Sequence, residues 1–177
     1  MPDSLLNASA ISRALTRIAH EIAERNDNGA EVLLVGVQTG GVHLAHRLAK
    51  TLGGIWSLPV SVGSLDVSMH RDDLDDHIAP TIRPTVIPGD ITGKTVVLVD
   101  DVLFSGRTTR AALDALNDFG RPRKIQLAVL VDRGHRELPI KADFVGKNIP
   151  TRRNERVEVS LKEDGGEDSV RLEVGER

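Results

Sequence analysis

Two adjacent carboxylates at the end of an apolar run are the most chemically suggestive feature of this sequence. Val96-Val97-Leu98-Val99 leads into Asp100-Asp101, then Val102-Leu103-Phe104-Ser105-Gly106-Arg107-Thr108, and then a helical period. A strand end fixes both backbones while the two carboxylates accept hydrogen bonds from a vicinal diol. A loop of small residues entering a helix presents several backbone N–H groups to one anion. Ser105, Thr108 and Thr109 add hydroxyl donors, and Arg107 adds charge. The run thus has a diol site at one end and a phosphate site at the other, as a phosphorylated ribose requires. A lone Asp-Asp pair reads as a solvated strand end. The order strand, acid pair, Ser-Gly loop and helix is what makes the motif specific.

Three other places hold residues of the right type. Thr39-Gly40-Gly41 follows an apolar run, and a glycine turn there can bring backbone N–H groups against a pyrophosphate. A plain tight turn is an equal reading of those residues alone. His70-Arg71-Asp72-Asp73 opens a polar stretch with three prolines, residues 71–90, which is long for a passive connection. Arg71 is the charge donor it offers, in a lid or in an exposed charged hairpin. Asp132-Arg133 ends a third apolar run, where Arg133 is either a ligand contact or half of an ion pair.

The elements that must position these residues follow from periodicity. Residues 8–25 read as an amphipathic helix with Ile11, Leu15, Ile18 and Ile22 on one stripe and Asn7 or Ser9 as N-cap. Residues 31–37, 95–100 and 124–131 are short apolar runs, as buried parallel strands should be. Residues 61–70 alternate and read as a strand. The stretch 42–52 has a helical period, and the helix after Thr108 is stopped by Gly120 and Pro122. DVLFSGRT reads as a loop. RVEVSLKE and DSVRLEV read as two short exposed strands joined at Asp164-Gly165-Gly166. Strands alternating with helices imply an α/β fold with a parallel sheet and helices on both faces. Ligands in such sheets sit beyond the carboxyl ends of the strands. Segments 38–41, 101–107 and 132–141 leave those ends.

Composition excludes several classes. The chain has 177 residues, 40% hydrophobic and 28% charged, which suits one globular domain. Aromatic residues are 2%, so the core must be aliphatic, and there is no cysteine for a disulfide or a thiolate metal site. No signal peptide is legible, and no apolar run approaches the roughly 20 residues of a membrane span. The net charge of −3 argues against indiscriminate nucleic-acid binding. It is unevenly spread: residues 133–156 carry seven Lys/Arg and three acids, whereas residues 163–177 carry six acids and two bases. A basic segment in an acidic chain suits a selective polyanion surface. Thr16 and His20 lie one turn apart beside Arg13 and Arg17, opposite the apolar stripe. His20 has no spaced partner for a metal, and a solvated surface histidine is the default reading.

The run VVLVDDVLFSGRTTRAALDAL resembles the phosphoribosyl pyrophosphate (PRPP) signature of the type I phosphoribosyltransferases. ISRALTRIAHEI, SLDVSMHRDDL and AVLVDRGHRELPIKADFVGKNIPT are similar to the bacterial family of bifunctional pyrimidine operon regulators and uracil phosphoribosyltransferases. The similarity runs from about residue 8 to about residue 160. It implies one phosphoribosyltransferase domain over residues 1–177. That domain has a mainly parallel central sheet, helices on both faces, a lid loop at about 70–94, and a small hood with C-terminal strands at about 155–175. It implies that uracil and PRPP give UMP and diphosphate, with Mg²⁺ carried by PRPP and no metal held directly by the protein. It implies binding of UMP or UTP and of pyr leader mRNA, transcription attenuation, a cytoplasmic location, and a homodimer or higher homo-oligomer.

Carried over residue by residue, the resemblance places Arg71, Asp100 and Asp101 in catalysis. It places Thr39, Gly40, Asp100, Asp101, Val102, Leu103, Phe104, Ser105, Gly106, Arg107, Thr108, Arg133 and Val157 at PRPP or nucleotide. It places Thr16, His20, Arg136, Lys141 and Lys147 at RNA. Two positions depart from the family: Gly40 stands where arginine is usual, and His70 where tyrosine is usual. A guanidinium on departing pyrophosphate is worth on the order of 10²–10³ in rate. Transferase activity is therefore expected to be weak and to rise in Gly40→Arg. The alternatives are an RNA-binding nucleotide sensor with little catalysis and a pure salvage transferase without an RNA role.

Overall fold

Aliphatic strands flanked by half-apolar helices resolve into a sheet covered on both faces. The computed structural model of the chain describes residues 4–70 and 83–175. Its central parallel sheet contains β2 (Val32–Val37), β3 (Ser61–Leu65), β4 (Thr95–Leu103), β5 (Lys124–Asp132) and β6 (Phe144–Asn148) in the order β3-β2-β4-β5-β6. Helices α1 (Ala8–Arg25) and α2 (Gly40–Trp56) cover one face, and α3 (Arg107–Leu116) covers the other. Strand alternation divides the core accordingly. Leu34, Val97, Val99 and Leu130 pack with Ile18, Leu44 and Leu48, while Leu33, Val35, Val96 and Leu98 pack with Ala111, Ala112 and Leu116. Among the described residues, no helix is long and apolar enough to cross a membrane.

The helix expected at 8–25 has those bounds, and Asn7 is its cap, with its side chain accepting from the Ala10 N–H at 2.9 Å. Two expectations are corrected. The acid pair does not end its strand: β4 continues to Leu103, because β5 runs alongside and pairs Val131 with Val102 and Asp132 with Leu103. The loop that follows is thereby cut to Phe104–Gly106. The strand expected over 61–70 stops at Leu65. There the Asp66 side chain accepts from the backbone N–H groups of Ser68, at 2.8 Å, and of Arg83, which turns the chain. Burial works against the charge of Asp66, but hydrogen bonds involving Ser68 and Arg83 outweigh it and hold the carboxyl below its ordinary range. Both feet of the long polar stretch are thus pinned by one residue. Arg71, Asp72 and Asp73 lie outside the described residues.

The hood is a separate antiparallel sheet, β1-β8-β7, built from β1 (Ser4–Leu6), β7 (Glu155–Ser160) and β8 (Ser169–Val174). The turn between β7 and β8 contains Gly165 at φ 91°, in the expected Asp-Gly-Gly segment. Arg47 of α2 clamps it to the sheet domain. Its guanidinium reaches Glu163 at 2.6 and 2.8 Å and Asp168 at 2.7 and 2.9 Å.

Candidate functional site

Gly40 of the Thr39-Gly40 turn stands against Asp101 of the acid pair, and the Ser105–Thr108 loop follows the pair at the carboxyl end of β4. Each carboxylate braces the backbone after it. Asp100 Oδ1 accepts from the Asp101 N–H at 2.9 Å, and Asp101 Oδ1 accepts from the Val102 N–H at 2.8 Å. Gly106, at φ 92°, precedes α3 and puts the loop in the left-handed region that glycine tolerates. Ser105 Oγ accepts from the Arg107 N–H at 3.3 Å. Val102 and Phe104 to Thr108 line a cavity of about 260 Å³. Its wall holds small side chains, hydroxyls, the Arg107 guanidinium and the N-terminus of α3, the composition that suits a phosphate.

The fourth face of that cavity is acidic, which the sequence reading missed. Glu137 lines it, with Oε2 at 3.4 Å from Arg107 Nε. Nothing in the local sequence marks Glu137, because it arrives from the segment after β5. That segment docks through the Ser105 carbonyl, which accepts from the Glu137 N–H at 2.9 Å and the Leu138 N–H at 3.2 Å.

The Thr39-Gly40 turn follows a cis peptide between Gln38 and Thr39. Gly40 faces the acid pair so closely that a Cβ there would stand 2.5 Å from Asp101 Oδ2. Gly41 lies closer still to β4: a Cβ on it would be 2.1 Å from the Val99 carbonyl oxygen. The glycines therefore let the start of α2 approach the strand end directly. This revises the expectation for Gly40→Arg, since any side chain at position 40 must first displace the Asp101 carboxylate.

Arg133 is buried, and its polar contacts are structural. Its Nε donates to Thr151 Oγ1 at 3.1 Å and its Nη2 to the Arg152 carbonyl at 3.0 Å. Burial pulls its guanidinium below the ordinary arginine value. Its cationic face lies 4.0 Å from the centroid of the Phe104 ring, and His135 meets the same ring edge-on at 6.0 Å. Arg133 thus reaches the site through Phe104, whose half-exposed side chain lines the loop cavity. Val157 is buried in the core with Val131 and Ile149.

The basic candidates divide. Thr16 and His20 are exposed on α1, and Lys147 is exposed on β6. Arg17 joins these two elements, donating to the carbonyls of Gly146 at 2.5 Å and Val145 at 3.2 Å. Thr16 also borders a groove of about 460 Å³ with His46 and Lys50, which the sequence did not single out, and with Arg47 beside its acidic partners Glu163 and Asp168. Lys141 is exposed beyond β5. Arg136 sits elsewhere: its guanidinium donates to the carbonyls of Phe104 at 2.8 Å and Ile140 at 2.9 Å, and to Asp132 at 2.5 Å. It belongs to the phosphate loop's support as much as to the surface.

The chain is similar to known proteins over nearly its whole length. The model of the phosphoribosyl transferase domain family matches residues 2–164. The Bifunctional protein PyrR of Thermus aquaticus is 59% identical over 169 residues, covering 95% of this chain and 93% of that protein. That of Roseiflexus sp. (strain RS-1) is 61% identical over 168 residues, covering 94% and 92%. A hypoxanthine-guanine phosphoribosyltransferase from Bacillus anthracis superposes with a TM-score of 0.73 at 20% identity, over 97% of each chain, a likeness of fold. With the acid pair, the Ser105–Thr108 loop and the glycine turn placed as described, and with this identity spread over nearly the whole length, the chain belongs to the phosphoribosyl transferase domain family and, within it, to the PyrR family.

Proposed function

We propose that the chain is a regulator of pyrimidine operons with uracil phosphoribosyltransferase activity, taking uracil and PRPP to UMP and diphosphate. The observation that carries this reading is that Gly40 stands against the Asp101 carboxylate while the next residue, Val102, lines the cavity formed by Phe104–Thr108. Held there, PRPP places its ribose diol on the carboxylates and its 5′-phosphate in the loop cavity. A bond forms between uracil N1 and ribose C1′ as the bond from C1′ to diphosphate breaks, and the N1 proton is lost. The carboxylates orient the ribose and favour the positive charge that develops on it. Mg²⁺ would enter as the counter-ion of PRPP, held by substrate oxygens and water, with Asp100 and Asp101 orienting the ribose it accompanies. Bound with PRPP, it supplies positive charge to the leaving diphosphate. Arg71 is proposed as a second such charge. Location in the cytoplasm and assembly into a homodimer or larger homo-oligomer belong to the same proposal. Turnover of uracil with PRPP, measured beside a pyr leader RNA shift with and without UMP, tests it. Absence of both activities overturns it.

The Gly40 turn supports a second reading, in which sensing outweighs catalysis, and two variants separate the effects. Gly40→Ala adds the Cβ without the charge, and is expected to weaken PRPP binding by about 10–100-fold by displacing one charged hydrogen-bond acceptor. Gly40→Arg meets the same obstruction and adds a guanidinium, so its kcat should exceed that of Gly40→Ala. Steady-state kcat and KM for PRPP report both. Unchanged PRPP affinity in Gly40→Ala would show that Asp101 moves aside at no cost.

RNA recognition is proposed for Thr16, His20, Arg136, Lys141 and Lys147, with UMP or UTP as effector. Lys141→Ala should weaken leader RNA binding and lower the slope of log K against log salt by about 1, leaving catalysis intact. Arg136→Ala should impair both functions, because it also releases the Phe104 carbonyl. Filter binding at several salt concentrations checks this. Equal RNA affinity in wild type and Lys141→Ala removes Lys141 from the interface.

A further inference from the structure

We infer that Glu137 senses the 5′-phosphate and transmits its presence to the RNA surface by moving the strap of residues 133–141. The inference rests on the nucleotide-dependent RNA binding proposed above and gives it a physical route. Three observations carry it.

First, Glu137 shares one small cavity with the phosphate donors and faces Arg107. A phosphate monoester brings a charge of about −1.5 to −2 at neutral pH. In that cavity it competes for Arg107 and repels the Glu137 carboxylate. Occupancy therefore turns an attraction between loop and strap into a repulsion.

Second, strap and loop are joined at the backbone. The Ser105 carbonyl accepts two strap N–H groups, and the Phe104 carbonyl accepts from Arg136. Gly106 sits against the strap too: a Cβ there would be 3.0 Å from Ile140 Cγ1. A displaced Glu137 cannot leave alone.

Third, the strap has a natural pivot and a charged cargo. Gly134 and His135 adopt positive φ, 76° and 64°, and this turn is held at both ends, Arg133 by Thr151 and Arg152 and His135 by its Nε2 at 2.5 Å from the Thr151 carbonyl, so the pivot lies where the chain leaves His135. Beyond the pivot lie Arg136 and Lys141, both proposed RNA contacts. The Arg107–Glu137 contact thus holds the strap in its weaker RNA-binding position, and phosphate releases it.

Linkage makes this measurable, because UMP and RNA must raise each other's affinity by the same factor. Titrations of the full chain with UMP and with pyr leader RNA, each alone and in the presence of the other, give that factor. Glu137→Gln removes the charge and keeps the shape. It is expected to bind UMP several-fold more tightly, to bind RNA without UMP nearly as well as wild type does with it, and to bring the factor close to one. Glu137→Asp should restore part of the coupling, whereas a purely structural role would weaken both ligands and restore nothing. A wild-type factor above one that persists unchanged in Glu137→Gln overturns the inference alone. A wild-type factor of one overturns the regulatory reading and the inference with it.

Discussion

The double variant Asp100→Asn, Asp101→Asn is expected to bind PRPP about 10²–10⁴-fold more weakly, because two hydrogen bonds to charged acceptors are worth roughly 3–6 kcal/mol together. Asparagine is the informative replacement. Each carboxylate uses Oδ1 to accept the next backbone N–H, and an amide oxygen still accepts there. This part of β4 should therefore keep its shape while losing its charge. Calorimetry with PRPP, beside a thermal melt, separates binding from folding. Unchanged affinity in a folded double variant would remove the ribose site from this strand.

Arg47→Met is expected to lower stability by about 2–4 kcal/mol, somewhat below the cost of breaking a fully buried ion pair. For a chain of this size that is a fall of roughly 5–15 °C in Tm. The side chains of Arg47, Glu163 and Asp168 are 19%, 29% and 12% exposed, so the contact is screened but not solvated. Removing the arginine leaves two carboxylates facing each other at the joint between hood and sheet. The hydrogen bonds from Arg47 hold both carboxyls below their ordinary range and raise the guanidinium in return. A depressed carboxyl pKa contributes stability that is fully present above the unfolded value, near about 4, and is lost as the pH falls through the folded value. Wild type and Arg47→Met should therefore differ most near neutral pH and converge below about pH 4. A constant difference down to pH 3 would mean that Arg47 acts by packing its stem.

Much of this was legible because local chemistry and burial agree. Asn7 before an apolar stripe gave the first helix its start, and continuous aliphatic runs marked β2, β4 and β5. The Ser105–Thr108 loop before a helix could be read because its residues are contiguous. What escaped depends on distant partners. Ser4–Leu6 becomes a strand through β8, near the other end of the chain. Phe144–Asn148 carries glycine, lysine and asparagine, which favour strands weakly, and is held by its pairing with β5. Glu137 looked like one acid in a basic stretch, and the acidic C-terminal segment had no evident role until Arg47 was found between Glu163 and Asp168. Gly40 read as a missing charge, and its nearness to Asp101 adds a constraint of space.

The far side of β6 has a bearing on how these molecules tolerate crowding. As the last strand of its sheet it presents a row of main-chain groups that could template a strand from another molecule. Arg17 reaches across from α1 and occupies the carbonyls of Val145 and Gly146, with Glu21 holding its other side at 2.8 Å. Lys147 then places a charge on the next residue of the strand. An incoming chain would have to strip a charged donor from these carbonyls and desolvate a lysine before it could pair. Lys147, proposed to attract a polyanion, thus also helps to guard the edge of the sheet against strand addition.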